Sequence, residues 1–379
     1  MKGLSKAAAA LGAASALAGI FLACSSSDSD GAAPVATPDA VAPVPEASVT
    51  VADAAREADA DAGIDAACPP LTNDTPHDLA CTGLYANVET KQLADGIREF
   101  TPAVQLWSDG ADKTRWIYLP AGATIDATDM NEWKFPVGTK LWKQFRVAGH
   151  RVETRLFQKL GIGFWVHASY VWTADELGAT RADGADLVVD GSDYHVPSPS
   201  ECEKCHNGRK DRVLGFEAIS LGLPNAAGIT LATLAKEGRL VPAPATTSYV
   251  IGDDGSGKSA AALGWLNVNC GVTCHNANTT AAAYPTGLRL RLDASLLDGG
   301  APGPTWDALK TSENIGAVTP RWSGQLRIVP GQPDASLLVT LISQRGTDQM
   351  PPLATNVVDT KDVNIIRDWI TSLPPQGDP

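Results

Sequence analysis

The chain has 379 residues, a length that suggests two to three domains. Its 30 basic residues against 43 acidic ones give a formal charge of −13, which argues against a nucleic-acid phosphate backbone as partner. Hydrophobic residues make up 44% and charged ones 19%, enough to bury a core, while seven cysteines are too few for a disulfide-dense scaffold.

Lys2 and Lys6 precede an almost entirely small or apolar run from Ala7 to Leu22, which is short for a bilayer span and reads as a signal peptide over residues 1–23. Its end at Ala23-Cys24 resembles a bacterial lipobox, although Phe21 and Leu22 depart from the usual pattern. Cys24 is then the lipidated N-terminus and the membrane contact, and Ser25 after it favours the outer membrane over the inner. An ordinary signal peptide cleaved elsewhere is the alternative. Residues 24–67 follow as an acidic tether. From residue 25 it holds nine acids against Arg56, with no aromatic residue, so disorder is expected. No later segment is long and apolar enough to cross a membrane.

Residues 68–196 read as a β-rich domain, a sandwich or a meander. Cys68 and Cys81 have a spacing compatible with a disulfide in an oxidising compartment. Six of the ten tryptophans lie between Trp107 and Trp172, among short runs at 115–119, 133–135, 141–147, 151–156 and 164–172. Val152, Thr154 and Leu156 alternate with Arg151, Glu153 and Arg155, as in a half-buried strand with one solvated face. Gly149-His150 reads as a hairpin turn. The tryptophans fit sheet packing better than a sugar-binding face.

Cys202-Glu203-Lys204-Cys205-His206 is C-x-x-C-H, in a segment assigned to 197–256. Two thiols at that spacing can add to the two vinyl groups of one haem, and His206 can then ligate the iron. A zinc knuckle would need a second ligand pair, and a redox dithiol a βαβ context; neither surrounds residue 202. Cys270-Gly271-Val272-Thr273-Cys274-His275 is the same pattern with one extra residue. A helix-compatible run at 259–267 precedes it. Gln349-Met350-Pro351-Pro352 follows, and then a capped amphipathic helix over 359–373 with the stripe Ile366, Trp369, Ile370 and Leu373.

This order of helix, motif, Met-Pro-Pro loop and terminal helix resembles a class I cytochrome c domain over residues 257–379. The resemblance implies His275 and Met350 as axial pair, a crossing of first and last helices through Gly264 and Trp369, and a backbone carbonyl at Pro285 for the proximal imidazole. A wider likeness, over about residues 100 to 374, rests on Leu106-Trp107-Ser108-Asp109-Gly110, Trp133-Lys134-Phe135-Pro136-Val137-Gly138-Thr139, Arg151-Val152-Glu153-Thr154-Arg155-Leu156 and Val196-Pro197-Ser198. These are similar to a family of exported bacterial dihaem c-type cytochromes with a β-rich N-terminal half. The extra residue at 271–273 departs from that family.

Between His206 and His275 there is no histidine or methionine, so the first haem's sixth ligand must come from elsewhere or be absent. His195 and His167 are the candidates. His150 and His77 read as solvated or peripheral, and Met130 as an exposed turn. Gly252 to Ser259 fits G-x-x-x-x-G-K-S, but Asp253 and Asp254 put negative charge where phosphates would sit; it reads as a hinge, and nucleotide binding is not expected. The expectation is an α+β multidomain chain with two covalent haem c groups, tethered by lipid and facing the periplasm. It would pass single electrons to or from a redox protein partner. The alternatives are haem redox chemistry on a small molecule at an open first site, and a ligand-binding β domain with haem as reporter.

Overall fold

A computed structural model describes residue 68 and residues 74–374; the signal peptide, Cys24 and the tether residues to 67 lie outside the described residues. Seven strands form one antiparallel sheet: β1 (Arg98–Thr101), β2 (Asp112–Tyr118), β3 (Lys140–Val147), β4 (His150–Gly161), β5 (Phe164–Trp172), β6 (Ala179–Ala182) and β7 (Ala227–Gly228). Their order is β7-β1-β2-β3-β4-β5-β6, and the other sheets among the described residues have two strands each. The β-rich part is therefore a meander. Trp133–Phe135 contributes only the bridge between Asp126 and Lys134, and Pro136 after it offers no ladder donor. The β3–β4 turn is Ala148-Gly149, with φ of 50° and 86°. Positive φ at both central residues matches the twist of the flanking strands, and His150 already belongs to β4.

Pleating sorts the side chains onto two faces. One carries Trp116, Trp142, Leu156, Ala168, Tyr170 and Trp172, covered by Leu79, Leu84 and Tyr85. Trp142 donates to Thr82 Oγ1 and Trp172 to Thr154 Oγ1, so these tryptophans serve packing. Cys68 and Cys81 form a disulfide beside this layer. The other face carries the rows Ile117–Leu141–Phe157–His167 and Arg115–Lys143–Arg155–Ser169. The expected solvated face of the 151–156 strand is thus corrected: Glu153 and Thr154 are both 0% exposed, because protein covers both sides of the sheet.

The later segments complete the same body, and the described residues belong to one compact unit. Strand β7 pairs with β1, and Leu240–Val241 runs parallel to Ile125–Asp126, so strand pairing crosses the boundary at 196. One apolar core extends from Phe100 to Leu373, with Met130 packed against it rather than exposed in a turn. Three helices matter for the site: α1 (Pro199–His206), α2 (Ser259–Leu266) and α3 (Thr360–Ser372). Asp359 caps α3 by accepting from Asp362 N, and Val363, Ile366, Trp369 and Ile370 bury its stripe. Helices α2 and α3 are in contact, but no atom of α3 stands against the open side of Gly264. A Cβ on Gly264 would meet Val104 and Ile251, while Trp369 Nε1 donates to Asp254 and Trp265 Nε1 to Asp359. The Gly252–Ser259 loop is accordingly no hinge. Asp253 and Asp254 bind backbone amides within it, and a Cβ on Gly252 would lie 1.8 Å from the Gly300 carbonyl.

Four buried charges join the three regions. Arg209, after α1, bonds Glu132 at 3.2 Å and also pairs with Glu217; Arg291 pairs with Glu132 and lies 3.7 Å from Glu217. Both guanidiniums also reach the Asn131 carbonyl. Two positive and two negative charges balance, so the buried Arg209, Glu132 and Glu217 and the largely buried Arg291 are each compensated. Arg209→Met would leave two buried carboxylates sharing one guanidinium. The expected cost is about 3–5 kcal/mol, read by equilibrium denaturation.

Candidate functional site

Helix α1 starts at Ser198, whose backbone N–H donates to Glu201 Oε2 at 2.9 Å, with Pro199 at the first position. Its three-residue spacing puts Cys202 and Cys205 on one face, with His206 next to the second thiol. His206 Nδ1 bonds the Arg212 carbonyl at 2.6 Å, which orients the ring and leaves Nε2 available as a ligand atom. Phe157 of β4 stacks on that ring at 4.5 Å. Burial pushes the His206 pKa down to about 3 and that of His275 to about 4, so both imidazoles are neutral, the form that binds a metal. Burial likewise pushes the thiol of Cys205 up to about 11 and that of Cys270 to about 12.

The extra residue of the second motif has a structural outlet. After α2 the chain widens into a π turn over Asn267–Gly271. Val272 N then bonds the Asn267 carbonyl and His275 N the Cys270 carbonyl, each five residues back. In this wider register a motif one residue longer still brings both thiols and the imidazole to one side. The polar backbone group acting on His275 is that of Leu288, not Pro285, while His275 Nδ1 itself makes no full hydrogen bond. Met350 is tied by its N–H to the Leu341 carbonyl at 2.9 Å. Gln349 holds the same loop through the carbonyls of Pro351 and Thr355.

Both motifs open onto one cavity of about 440 Å³, lined by Cys202, Cys205, His206, Cys270, Cys274, His275 and Met350, with His167 and His195 at its wall. Among the described residues no three His, Cys, Asp or Glu side chains converge on a point as a metal ion would require, so these groups are spread around a space. The backbones of the two motifs are in contact. A Cβ on Gly208 would lie 1.6 Å from the Thr273 carbonyl oxygen. Asn276 and Asn278 donate to the Gly208 carbonyl, and Thr280 to that of Asn207.

The two candidate sixth ligands differ. His195 has both ring nitrogens engaged, with Asp186 at 2.7 Å and Glu201 at 3.2 Å. His167 bonds the Pro199 carbonyl through Nε2 at 3.1 Å, while its buried Nδ1 has no partner. His77 and His150 are largely exposed.

The Trp107-Ser108-Asp109 stretch closes the far side. Asp109 accepts from the Asn356 and Val357 amides, Trp107 Nε1 donates to the Val357 carbonyl, and Trp107 N donates to Asn269. Sequence reading noted that stretch without its role as clamp on the Met350 loop, and it missed Gly208, Arg115 and Lys143. A glycine two residues after C-x-x-C-H was the only available signal for the first of these. Comparison of the chain with family models, curated proteins and solved structures finds no match.

Gly208→Ala should force the two motifs apart and destabilise the protein by about 1–3 kcal/mol, read as a lowered denaturation midpoint. The carboxylate of Asp186, with that of Glu201, raises the His195 pKa above its ordinary 6.5. A raised folded-state value means the pair stabilises fully below pH 6.5 and loses that contribution as pH rises through the folded value. The stability gap between wild type and His195→Gln should therefore be present at acidic pH and fade in alkali. Partial exposure keeps it under about 1 kcal/mol.

Proposed function

We propose that the protein is an exported, lipid-anchored dihaem c-type cytochrome of the β-rich family it resembles, with a class I cytochrome c-like C-terminal part. Its role would be to pass single electrons to or from a periplasmic redox protein. The observation that carries this reading is the single cavity onto which both Cys-Cys-His motifs and Met350 open. The donor set fits haem, with two thiols and a neutral imidazole in each motif. Haem held here supplies an iron that takes up and releases one electron. The chain would anchor it at Cys202 and Cys205 and at Cys270 and Cys274, ligate it through His206 and His275, and complete the second centre with Met350. The backbone contact between the motifs keeps the two attachment points adjacent, which suits transfer from one to the other.

A second reading, small-molecule redox chemistry at the first centre, is favoured by one feature. His195 is held by two carboxylates and His167 already bonds a backbone carbonyl through Nε2, so an open sixth position is consistent with the side chains present.

The test is maturation of the full chain in a host competent for c-type cytochromes, with haem counted per chain and CO added to the reduced protein. Two haems are expected; one haem would remove the assignment at His275, and none would overturn the reading. CO binding by one haem would favour the second reading, and no CO response the electron carrier. Met350→Ala should lower the midpoint potential of one haem and open it to CO, because a thioether ligand raises the potential.

A further inference from the structure

Three cations stand side by side on the cavity face of the sheet. Arg115 of β2 is directly opposite Lys143 of β3, and Lys143 directly opposite Arg155 of β4. Lys113 lies two residues before Arg115, on the same face. Like charges directly opposite one another destabilise a sheet. Arg115 is 5% exposed, and Arg115, Lys143 and Arg155 all line the cavity. Burial, with the neighbouring guanidiniums, holds the Lys143 amine well below the usual lysine range and pushes Lys113 down to about 8.

Nearby anions do not balance the row. Glu153 uses both carboxylate oxygens on Arg155, at 2.6 and 2.8 Å, and also accepts from the Tyr194 hydroxyl. Arg115 bonds the neutral amide oxygen of Gln105, and Lys113 the Leu106 carbonyl, with Asp112 and Asp359 acting on Lys113 from beyond hydrogen-bond range. Lys143 has no hydrogen bond or ion pair to a described residue and lies 4.7 Å from the centre of the Phe145 ring. Arg115 and Lys143 therefore face an otherwise mostly apolar cavity without an ion-pair partner, and an anionic ligand would supply that partner and restore the positive charge that burial disfavours on Lys143.

We infer that Arg115 and Lys143, flanked by Arg155, bind the propionate carboxylates of haem held in this cavity. The inference rests on the proposed dihaem reading and deepens it. A haem has an apolar ring and two carboxylates, which matches an apolar space with two unpaired cations on one wall. The row is also at hand for the first motif, because Phe157, which stacks on His206, lies two residues along β4 from Arg155. Charge-assisted bonds from Arg and Lys to carboxylates are the strong class of hydrogen bond, and strongest away from water.

The experiment uses the full chain matured with haem carrying ¹³C at the propionate carboxylates, as wild type, Lys143→Met, Arg115→Gln and Arg115→Lys. Redox-difference infrared spectra and midpoint potentials are recorded. The labelled carboxylate bands should shift, and one midpoint potential should fall, in Lys143→Met and in Arg115→Gln, because a lost cation disfavours the reduced form. Arg115→Lys should stay close to wild type. In chain made without haem, Lys143→Met should raise the denaturation midpoint by relieving repulsion. If Lys143→Met fails to accumulate, Arg115→Gln carries the infrared test. Unchanged labelled bands in a variant with covalent haem would overturn the inference and leave the dihaem reading standing. Succinate bound by the wild-type holoprotein and not by Lys143→Met would assign the row to a free carboxylate, also overturning it. Wild-type protein without covalent haem would overturn both.

Discussion

The balanced group of Arg209, Arg291, Glu132 and Glu217 is the constraint on which the arrangement of the site depends. Its members come from the loop before β3, from the chain just after α1, from the segment leading to β7 and from the stretch after the second motif. Three of the ions are buried and Arg291 is largely so, and removing any one leaves a poorly compensated charge. Satisfying all four draws together the segments that follow the two Cys-Cys-His motifs. The same requirement explains why Gly208 can sit against the Thr273 carbonyl, where any side chain would collide.

A second buried pair works in the same direction. Asp211 accepts from Lys159 Nζ, from Trp165 Nε1 and from the Phe135 amide, fastening the chain behind α1 to the sheet. The sheet is thereby more than a neighbour of the helical part, since its inner face forms one wall of the cavity. Two layers of different chemistry share its strands: tryptophan packing on one face, and Phe157, His167 and the Arg115–Lys143–Arg155 row on the other. On the proposed reading the first layer makes the sheet rigid and the second makes it part of a cofactor site.

Alternation in the sequence was a sound guide to strands and a poor guide to what each face meets. Residues 164–172 and the capped helix after Asp359 are legible because period and cap are local properties. The charged residues of 151–155 read as solvent-facing for the same local reason. Their partners lie elsewhere in the chain, Glu176 for Arg151 and Tyr194 for Glu153, which no local pattern encodes. The Gly252–Ser259 loop was misread as a hinge because its glycine content is visible, whereas its ties to Trp369 and Gly300 are long-range. The π turn that accommodates the longer second motif shows in sequence only as one extra residue.

The residue types and spacings by themselves determined the two Cys-Cys-His motifs, the Met350 loop, the terminal helix and the β-rich first half, because each follows from chemistry within a few residues of chain. Only the tertiary structure decided that both motifs open onto one cavity, that His195 is held by two carboxylates while His167 keeps a free nitrogen, and that a row of cations faces inward. Those facts depend on which distant segments meet. That is governed by compensation of buried charge and by close backbone packing, neither of which leaves a periodic trace in the sequence.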